Sequence, residues 1–405
     1  EIAALPEDTL EQQVIKQHRW EDLMCSPRVE CLRLACDIYT YAFYKQFTAS
    51  DIESHVDESG KFTAFNIPYT RTVYQALQEI KCLDDSDDEP DVQHLPDTLR
   101  REATDSSATY RYFHWCVEFP EVFAYDGGFD VMCGNPPWDK IKVENKKWFE
   151  NHGRSDIVNA GTAAQRKHAI AMLPETTPDL FKEYHQAQQD AEVMSRFVRF
   201  SGRFALTATG DIDLYPMFAE LCLSFSKEAW GLVLPTGIAV NDSNKAFFSK
   251  LVDENRLISL YDFENREKLF DIDSRLKFCL LTVGKAQAEP RTVSGGFYLT
   301  RIDHLLDPNR IYTLRTDDFA LLNPNTKTCP VFRTSRDARL TTKIYHRCKV
   351  LMNDVTGENP WKIKFGSMFH MSGDSHLFRT YAQLTDAGAV YQAPNFILEG
   401  KTYVP

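Results

Sequence analysis

The sequence predicts an α/β fold, in which a sheet with several parallel strands is covered by helices. Residues 231–235, 257–263 and 276–283 are apolar runs of strand length, and residues 244–254 form an amphipathic helical pattern between the first two. Residues 129–133 form a further apolar strand, and two prolines follow it at positions 136 and 137. This places the prolines in a loop at the carboxyl end of a sheet strand, where α/β proteins bind ligands. This strand–helix–strand succession is typical of an α/β layer with a mostly parallel sheet.

Length and composition limit the class of protein. The 405 residues, 43% of them hydrophobic, suffice for two domains or for one large domain with insertions. The 46 basic and 58 acidic residues give a net charge of −12, which argues against a protein that coats nucleic acid with its whole surface. Ten cysteines without a Cys-x-x-Cys pair indicate packing thiols in a reducing compartment, and no apolar run approaches the roughly 18 residues of a membrane span. We therefore expect a cytoplasmic protein without a membrane partner.

Residues 1–109 are predicted to be a helical segment that contains an acidic loop. Ser26 is a suitable cap and Pro27 a suitable first residue for a helix that runs to about Gln46. Residues 84–91 are mostly acidic and lack the spacing of metal ligands, so we interpret them as a solvated linker.

The remaining chain divides near residue 296. Residues 110–295 contain the predicted sheet, with a further strand at 110–115 and mostly helical patterns between 146 and 227. After the Gly295-Gly296 pair the pattern becomes irregular and rich in strands. Residues 296–405 are therefore predicted to be a separate region.

The loop Asn135-Pro136-Pro137-Trp138 carries the clearest chemical signal. An exocyclic amino group of a nucleobase is a poor nucleophile, because its lone pair is delocalised into the ring. If the Asn135 side-chain oxygen and the Pro136 carbonyl accept its hydrogens, the nitrogen becomes more tetrahedral and can attack a methyl group. Trp138 offers a flat face to a base rotated out of the duplex. Asn-Pro also starts ordinary turns, but the strand before it and the aromatic after it favour the catalytic interpretation.

The sequence resembles the adenine-N6 DNA methyltransferases of the large, single-chain type IIG restriction-modification and phage-defence family. The similar motifs lie, in this order, at residues 113–115, 118–123, 127–138, 201–203, 210–215, 233–238, 262–266 and 273–280. The resemblance implies a partial Rossmann-like S-adenosylmethionine-dependent methyltransferase sheet with helical insertions in residues 110–295, followed by the start of a target-recognition region in residues 296–405. It also implies methyl transfer from S-adenosyl-L-methionine to adenine in double-stranded DNA.

The resemblance assigns roles to further residues. Phe270 is implied as a second aromatic that stacks on the flipped base opposite Trp138, although a core aromatic that closes a β-hairpin is an equally open interpretation. Asp213 and Tyr215 lie near the site in such folds, but a helix start and a core contact explain them as well.

One feature of the family is missing from this sequence. Members of the family carry a glycine-rich loop after their first strand, which holds the methionine part of the cofactor. The pairs Gly127-Gly128 and Gly295-Gly296 lack its spacing. We therefore expect the main cofactor site upstream of Glu1, with this chain a fragment that is inactive without the rest of the parent chain.

A basic segment follows the predicted sheet. Its six positive residues surround a single acidic one and are Arg333, Arg336, Arg339, Lys343, Arg347 and Lys349. Such a segment is often a solvated helix face, but in an acidic chain we expect it to contact DNA phosphates.

Two other functions remain open from the sequence. A noncatalytic DNA- or protein-interaction module could keep a methyltransferase-like fold without a cofactor site. A methyltransferase that acts on a protein glutamine or on an RNA base would present a similar amide or amino group to the same loop. The long helical insertion after the loop, with over a hundred residues beyond the sheet, favours a DNA-reading enzyme over the second alternative, because those methyltransferases are small. The first alternative stays open.

Overall fold

The computed structural model describes residues 2–45, 95–124, 127–370 and 373–404. The chain divides into two compact units, Glu1–Cys348 and Lys349–Pro405. The acidic loop predicted at residues 84–91 lies outside the described residues, so its interpretation stays a prediction.

Helices precede the first strand, as the sequence predicts. In the described residues they are α1 (Leu10–Met24), α2 (Pro27–Tyr44), α3 (Asp97–Tyr110), α4 (Trp115–Glu118) and α5 (Pro120–Ala124). Ser26 occupies the N-cap position of α2, which confirms the predicted start of this helix. The helices α2 and α3 pack together around the fully buried Ile38 and Ala103.

The strand predicted at residues 110–115 is wrong. Tyr110 is the last residue of α3, and Trp115 is the first residue of α4. The Trp115 ring packs edge-on against Phe129 of the first strand, β1 (Phe129–Gly134), with their centroids 5.9 Å apart. Residues 110–115 are apolar enough to resemble a strand. Their backbone joins no sheet, and the Trp115 ring packs beside β1 instead.

A helical insertion follows β1, in agreement with the prediction for residues 146–227. It comprises α6 (Asn145–Asn151), α7 (Ser155–Val158), α8 (Ala163–Ala171), α9 (Leu173–Thr176), α10 (Pro178–Phe200) and α11 (Leu214–Phe225). One cluster of the insertion packs around the fully buried Phe149 and another around Val198. The last helix, α11, leads directly into the second strand.

Five further strands join β1 in one sheet. They are β2 (Ser226–Pro235), β3 (Leu257–Glu264), β4 (Lys277–Gly284), β5 (Thr292–Leu299) and β6 (Tyr312–Arg315), in the spatial order β1-β2-β4-β3-β5-β6. β1 and β2 are parallel neighbours, with Cys133 opposite Gly231. β1 is an edge strand whose only partner among the described residues is β2, and its Val131 is 65% exposed.

The sheet is mixed and less parallel than the sequence pattern suggests. The pairs β1–β2 and β3–β5 are parallel, whereas β2–β4, β3–β4 and β5–β6 are antiparallel. The segment between β3 and β4 contains no α-helix, and the chain returns along β3 in the opposite direction. β1, β2, β3 and β5 nevertheless share one direction, so their carboxyl ends lie at the same edge of the sheet. The predicted α/β fold with helical insertions is confirmed.

Four more helices complete the first unit: α12 (Gly237–Val240), α13 (Lys245–Asp253), α14 (Thr316–Leu322) and α15 (Ser335–Tyr345). The core between sheet and helices contains Trp230, Phe247 and Phe248, all nearly or fully buried. The boundary predicted near residue 296 falls within β5, and the first unit continues to Cys348.

The second unit contains one short helix and a small sheet. These are α16 (Tyr381–Asp386) and the antiparallel strands β7 (Val390–Gln392), β8 (Asn395–Leu398) and β9 (Lys401–Tyr403).

The cysteines depart from the sequence prediction in two ways. Cys25, Cys116, Cys133 and Cys348 are exposed and so are not packing residues. Cys31 is disulfide-bonded, whereas a chain of packing thiols was expected. Sequence spacing did not reveal this bond, because a disulfide can join residues far apart in the chain. Among the described helices, none is long and apolar enough to span a membrane.

Candidate active site

The Asn135-Pro136-Pro137-Trp138 loop begins where β1 ends. Gly134, the last residue of β1, lies opposite Leu232 of β2, so the loop leaves the sheet at the carboxyl edge. Asn135 is exposed, and its side chain has no hydrogen-bond partner in the part of the chain that the structure describes. The two prolines have no N–H to donate and hold φ near −65°, which keeps the loop rigid. The amide of Asn135 is therefore available to an external partner.

The segment after the loop is tied to the start of α11. The backbone N–H of Ile141 donates to the carbonyl of Ile212 (3.1 Å), and the N–H of Leu214 donates to the carbonyl of Asp139 (2.9 Å). β1 thus anchors the loop on one side, and these two hydrogen bonds anchor it on the other. The sequence predicted the loop from β1 but not this second anchor.

Trp138 lines a pocket at the same edge of the sheet. Its half-buried ring packs against Phe263, Phe278 and Leu299. Its Nε1 atom is buried and has no hydrogen-bond partner among the described residues. We call the adjoining cavity of about 570 Å³ the Trp138 pocket; its lining residues are Trp138, Asp213, Tyr215, Pro235, Thr236, Gly237, Val240, Asn241, Asp262, Leu276, Lys277, Phe297, Tyr298 and Val331.

A buried carboxylate lies in the wall of the Trp138 pocket. Asp262 of β3 is 1% exposed. It accepts hydrogen bonds from the Thr236 hydroxyl at 2.5 Å and from the backbone N–H of Tyr298 at 3.1 Å. Burial raises the pKa of the Asp262 carboxyl, and the two hydrogen bonds oppose this shift. The carboxylate thereby links the carboxyl ends of β2, β3 and β5.

Tyr298 has an unusual backbone conformation in this wall. Its φ is 60°, in the left-handed region that a non-glycine residue rarely adopts. The hydrogen bond to Asp262 helps to hold this conformation. The Lys277 ammonium and the Arg333 guanidinium each lie 4.5 Å from the centre of the Tyr298 ring. Strained residues that several contacts hold in place are often found at functional sites.

Asp213 and Tyr215 were expected either near the site or as a helix start and a core contact, and the structure shows both. Asp213 is the N-cap residue of α11, and Tyr215 is a buried residue of the same helix. Both also line the Trp138 pocket. Burial raises the pKa of Asp213, and burial together with the Asp213 charge raises the pKa of Tyr215 to about 12. Tyr215 therefore stays neutral near pH 7.

Phe270 does not line the Trp138 pocket. Its ring packs edge-on against Phe278 of β4 at 4.9 Å, and its backbone exchanges two hydrogen bonds with the Asn265 side chain. Phe278 belongs to the cluster against which Trp138 packs. The ring of Phe270 is 38% exposed, and its predicted stacking role stays a prediction.

Three of the four glycines in the two pairs are closely packed; Gly127 has no neighbour within 4 Å but has a positive φ of 69°. A side chain at Gly128 would lie 2.4 Å from the Phe225 carbonyl oxygen. A side chain at Gly295 would meet the Tyr312 ring at 3.0 Å, and one at Gly296 would meet Ile311 at 2.7 Å. Neither pair forms a glycine-rich loop after a strand. These residues do not fit the methionine part of S-adenosylmethionine.

The basic segment is divided between the two units. Arg336, Arg339 and Lys343 lie exposed on α15. Arg347 is exposed just after this helix, and Lys349 belongs to the second unit, where it pairs with Glu358. Arg333 lies with its guanidinium 4.5 Å from the centre of the Tyr298 ring, but it does not itself line the Trp138 pocket. The structure gives the positions of these residues, and their contacts with DNA stay a prediction.

Sequence reasoning missed Thr236 and Tyr298 as pocket residues. Asp262 lies in one of the motifs that carry the resemblance, but nothing in its sequence context shows its hydrogen bond to Tyr298. Tyr298 follows the predicted domain boundary, and only the pairing of β5 with β3 brings it to the site.

Comparison with known proteins gives one family match. The model of the Eco57I restriction-modification methylase family matches residues 31–168, a range that contains β1 and the Asn135 loop. A methyltransferase subunit of a type I restriction-modification system from Streptococcus thermophilus aligns at 12% identity over 33% of this chain and 33% of its own, with a TM-score of 0.25. No curated protein sequence gives a significant match. The description of the fold therefore rests on the sheet itself, and residues 31–168 are similar to a restriction-modification methylase.

Proposed function

We propose that this chain carries the acceptor-base site of a DNA adenine-N6 methyltransferase of the restriction-modification kind. The observation that carries the proposal is the rigid loop at the end of β1, with an exposed Asn135 amide beside a tryptophan that lines a pocket. The match to a restriction-modification methylase family over this loop supports it.

The loop supplies two hydrogen-bond acceptors for the target amino group. The side-chain oxygen of Asn135 and the carbonyl of Pro136 accept the two N6 hydrogens of adenine. This draws the lone pair of the nitrogen out of conjugation with the ring. Since these hydrogen bonds are best when the nitrogen is tetrahedral, they stabilise the transition state more than the ground state.

The Trp138 pocket receives the flipped base. Its volume of about 570 Å³ is within the range of about 300–1,000 Å³ that small-molecule sites occupy. The ring of Trp138 offers a stacking face.

S-adenosyl-L-methionine would supply the methyl group to such an acceptor site. The glycines of the described residues do not form its cradle, so we derive no step that passes through the cofactor. We propose that the remainder of the parent chain supplies the cofactor-binding loop. Double-stranded DNA is the proposed partner of the acceptor site.

The test is methylation of genomic DNA in living cells. The natural reading frame that encodes this chain is expressed in a bacterial host without its own adenine methylases, and nucleosides from its DNA are measured by mass spectrometry. We expect N6-methyladenine at a defined sequence. Its absence overturns the proposal, and N4-methylcytosine in its place overturns the assignment to adenine. Asn151→Ala, at an exposed asparagine on α6, is the control for Asn135→Ala and should methylate like wild type.

A further inference from the structure

Two cysteines lie in the wall of one cavity where α2 packs against α4. Cys36 lies on α2 and Cys116 lies on α4. Asp37 follows Cys36 in the chain, and His114 lies two residues before Cys116. Asp37 Oδ1 lies 2.7 Å from His114 Nε2, and both of these side chains are buried. The Asp37–His114 pair thus holds the two cysteines in place from an adjacent position.

The two thiols open onto a common cavity. This cavity has a volume of about 230 Å³ and contains the side chains of Cys36, Cys116, His114 and Arg203 in its wall. Cys116 is exposed and Cys36 is half-buried. A small oxidant can therefore reach the pair from solvent.

The electrostatic surroundings make the two sulfurs unequal. The adjacent Cys36 thiol, together with His114 and Arg203, lowers the pKa of Cys116 to about 6. The adjacent Cys116, with burial and the nearby Asp37 charge, raises the pKa of Cys36. Near pH 7, Cys116 is therefore largely the thiolate and Cys36 the neutral thiol.

We propose that Cys36 and Cys116 form a peroxide-sensitive dithiol site, in which Cys116 is the attacking sulfur and Cys36 the resolving one. The Cys116 thiolate attacks one oxygen of hydrogen peroxide, the O–O bond breaks, and with one proton the products are a sulfenic acid and water. The Cys36 sulfur then attacks the sulfenic sulfur, and the S–O bond breaks as the disulfide forms. The hydroxide that leaves takes the Cys36 proton to give a second water. In total, two thiols and one peroxide give one disulfide and two waters.

Other cysteines of the first unit show what a packing thiol looks like. Cys222, Cys279 and Cys329 are buried in the core. Burial raises the pKa of each of these thiols, so they are protonated and shielded. Cys36 and Cys116, by contrast, are partly or fully exposed and share the wall of one cavity.

The test is peptide mapping of the wild-type chain after hydrogen peroxide treatment. Free thiols are blocked with N-ethylmaleimide, and non-reduced peptides are identified by mass spectrometry. We expect a cross-linked peptide pair that contains Cys36 and Cys116, and a reducing agent should remove it. Its rate of formation should fall several-fold between pH 7.5 and pH 5.5, as the Cys116 thiolate is protonated. The titratable or charged groups that face the pair are Asp37, Tyr39, His114 and Arg203.

Variants separate the two roles. In Cys36→Ser, Cys116 should accumulate as a sulfenic acid that dimedone traps; in Cys116→Ser, Cys36 should stay unreacted. Cys133→Ser removes an exposed cysteine of β1 and should leave the cross-link unchanged. If Cys36 and Cys116 in wild type are alkylated as fast after peroxide as before, or cross-link to other cysteines instead, the proposal is wrong. The wild-type measurement requires no substitution, so a variant that fails to fold does not affect it.

Discussion

The Trp138 pocket and the basic face of α15 hold their charged groups in opposite ways. In the pocket, Asp262 is buried and accepts two hydrogen bonds, and the ammonium of the lining residue Lys277 lies 4.5 Å from the centre of the Tyr298 ring. On α15, the cations of Arg336 and Lys343 are exposed to solvent. A buried, partnered arrangement can select one geometry, whereas exposed cations act on any nearby phosphate. We therefore propose that the pocket serves the chemistry and that the helix contributes DNA affinity that is independent of sequence.

The largest effect that this comparison predicts is at Asn135. In the natural full-length protein, Asn135→Ala should lower turnover by about 100-fold or more, because the variant lacks one preorganised transition-state acceptor. DNA affinity should change little. The measurement is the initial rate of methyl incorporation into duplex DNA. A variant as active as wild type would show that the exposed amide has no role.

Trp138 should affect binding more than rate. Base stacking on an aromatic contributes about 1–3 kcal/mol, so Trp138→Ala should weaken DNA binding by that amount, while Trp138→Tyr keeps most of it. Titrations use a duplex that contains the sequence found by methylation mapping. If Trp138→Ala is folded and binds this duplex as tightly as wild type, the stacking role is wrong; if Trp138→Ala yields no soluble protein, Trp138 is structural.

Asp262 should matter for the stability of the pocket wall. Asp262→Ala leaves the Thr236 hydroxyl and the Tyr298 N–H without their acceptor, which should cost about 1–3 kcal/mol in the free energy of unfolding. Denaturant titration of the purified chain measures this cost. The control is Asp303→Ala, which removes an exposed ion pair with Arg301 and should cost under about 1 kcal/mol. Equal losses in both variants would contradict the special role of the buried carboxylate.

The smallest effects are expected from single charges on α15. Replacing Arg336, Arg339 or Lys343 by glutamine should lower the salt dependence of DNA binding by about 0.9 in the log–log slope for each phosphate that the variant no longer neutralises. Methylation specificity should not change. Lys349→Gln should have a smaller effect, because Lys349 is already paired with Glu358. A loss of sequence specificity in an α15 variant would contradict the division of roles.

The sequence was most informative where a local pattern decides the structure. β1 and the loop after it follow from an apolar run that ends in two prolines, and α2 follows from its Ser26 cap. The aromatic run at residues 110–115 misled, since apolar character alone does not distinguish a strand from rings that fill a cluster. The Trp138 pocket required the sheet itself: Tyr298 and Asp262 meet only because β5 pairs with β3.

The open edge of β1 has a consequence for handling the purified chain. Among the described residues, one side of this strand has no neighbouring strand, and Val131 and Cys133 are exposed on it. Free backbone N–H and C=O groups beside an apolar side chain are a template for pairing with another polypeptide. We therefore expect the chain to self-associate as its concentration rises, and a charged residue at position 131 should keep it dispersed.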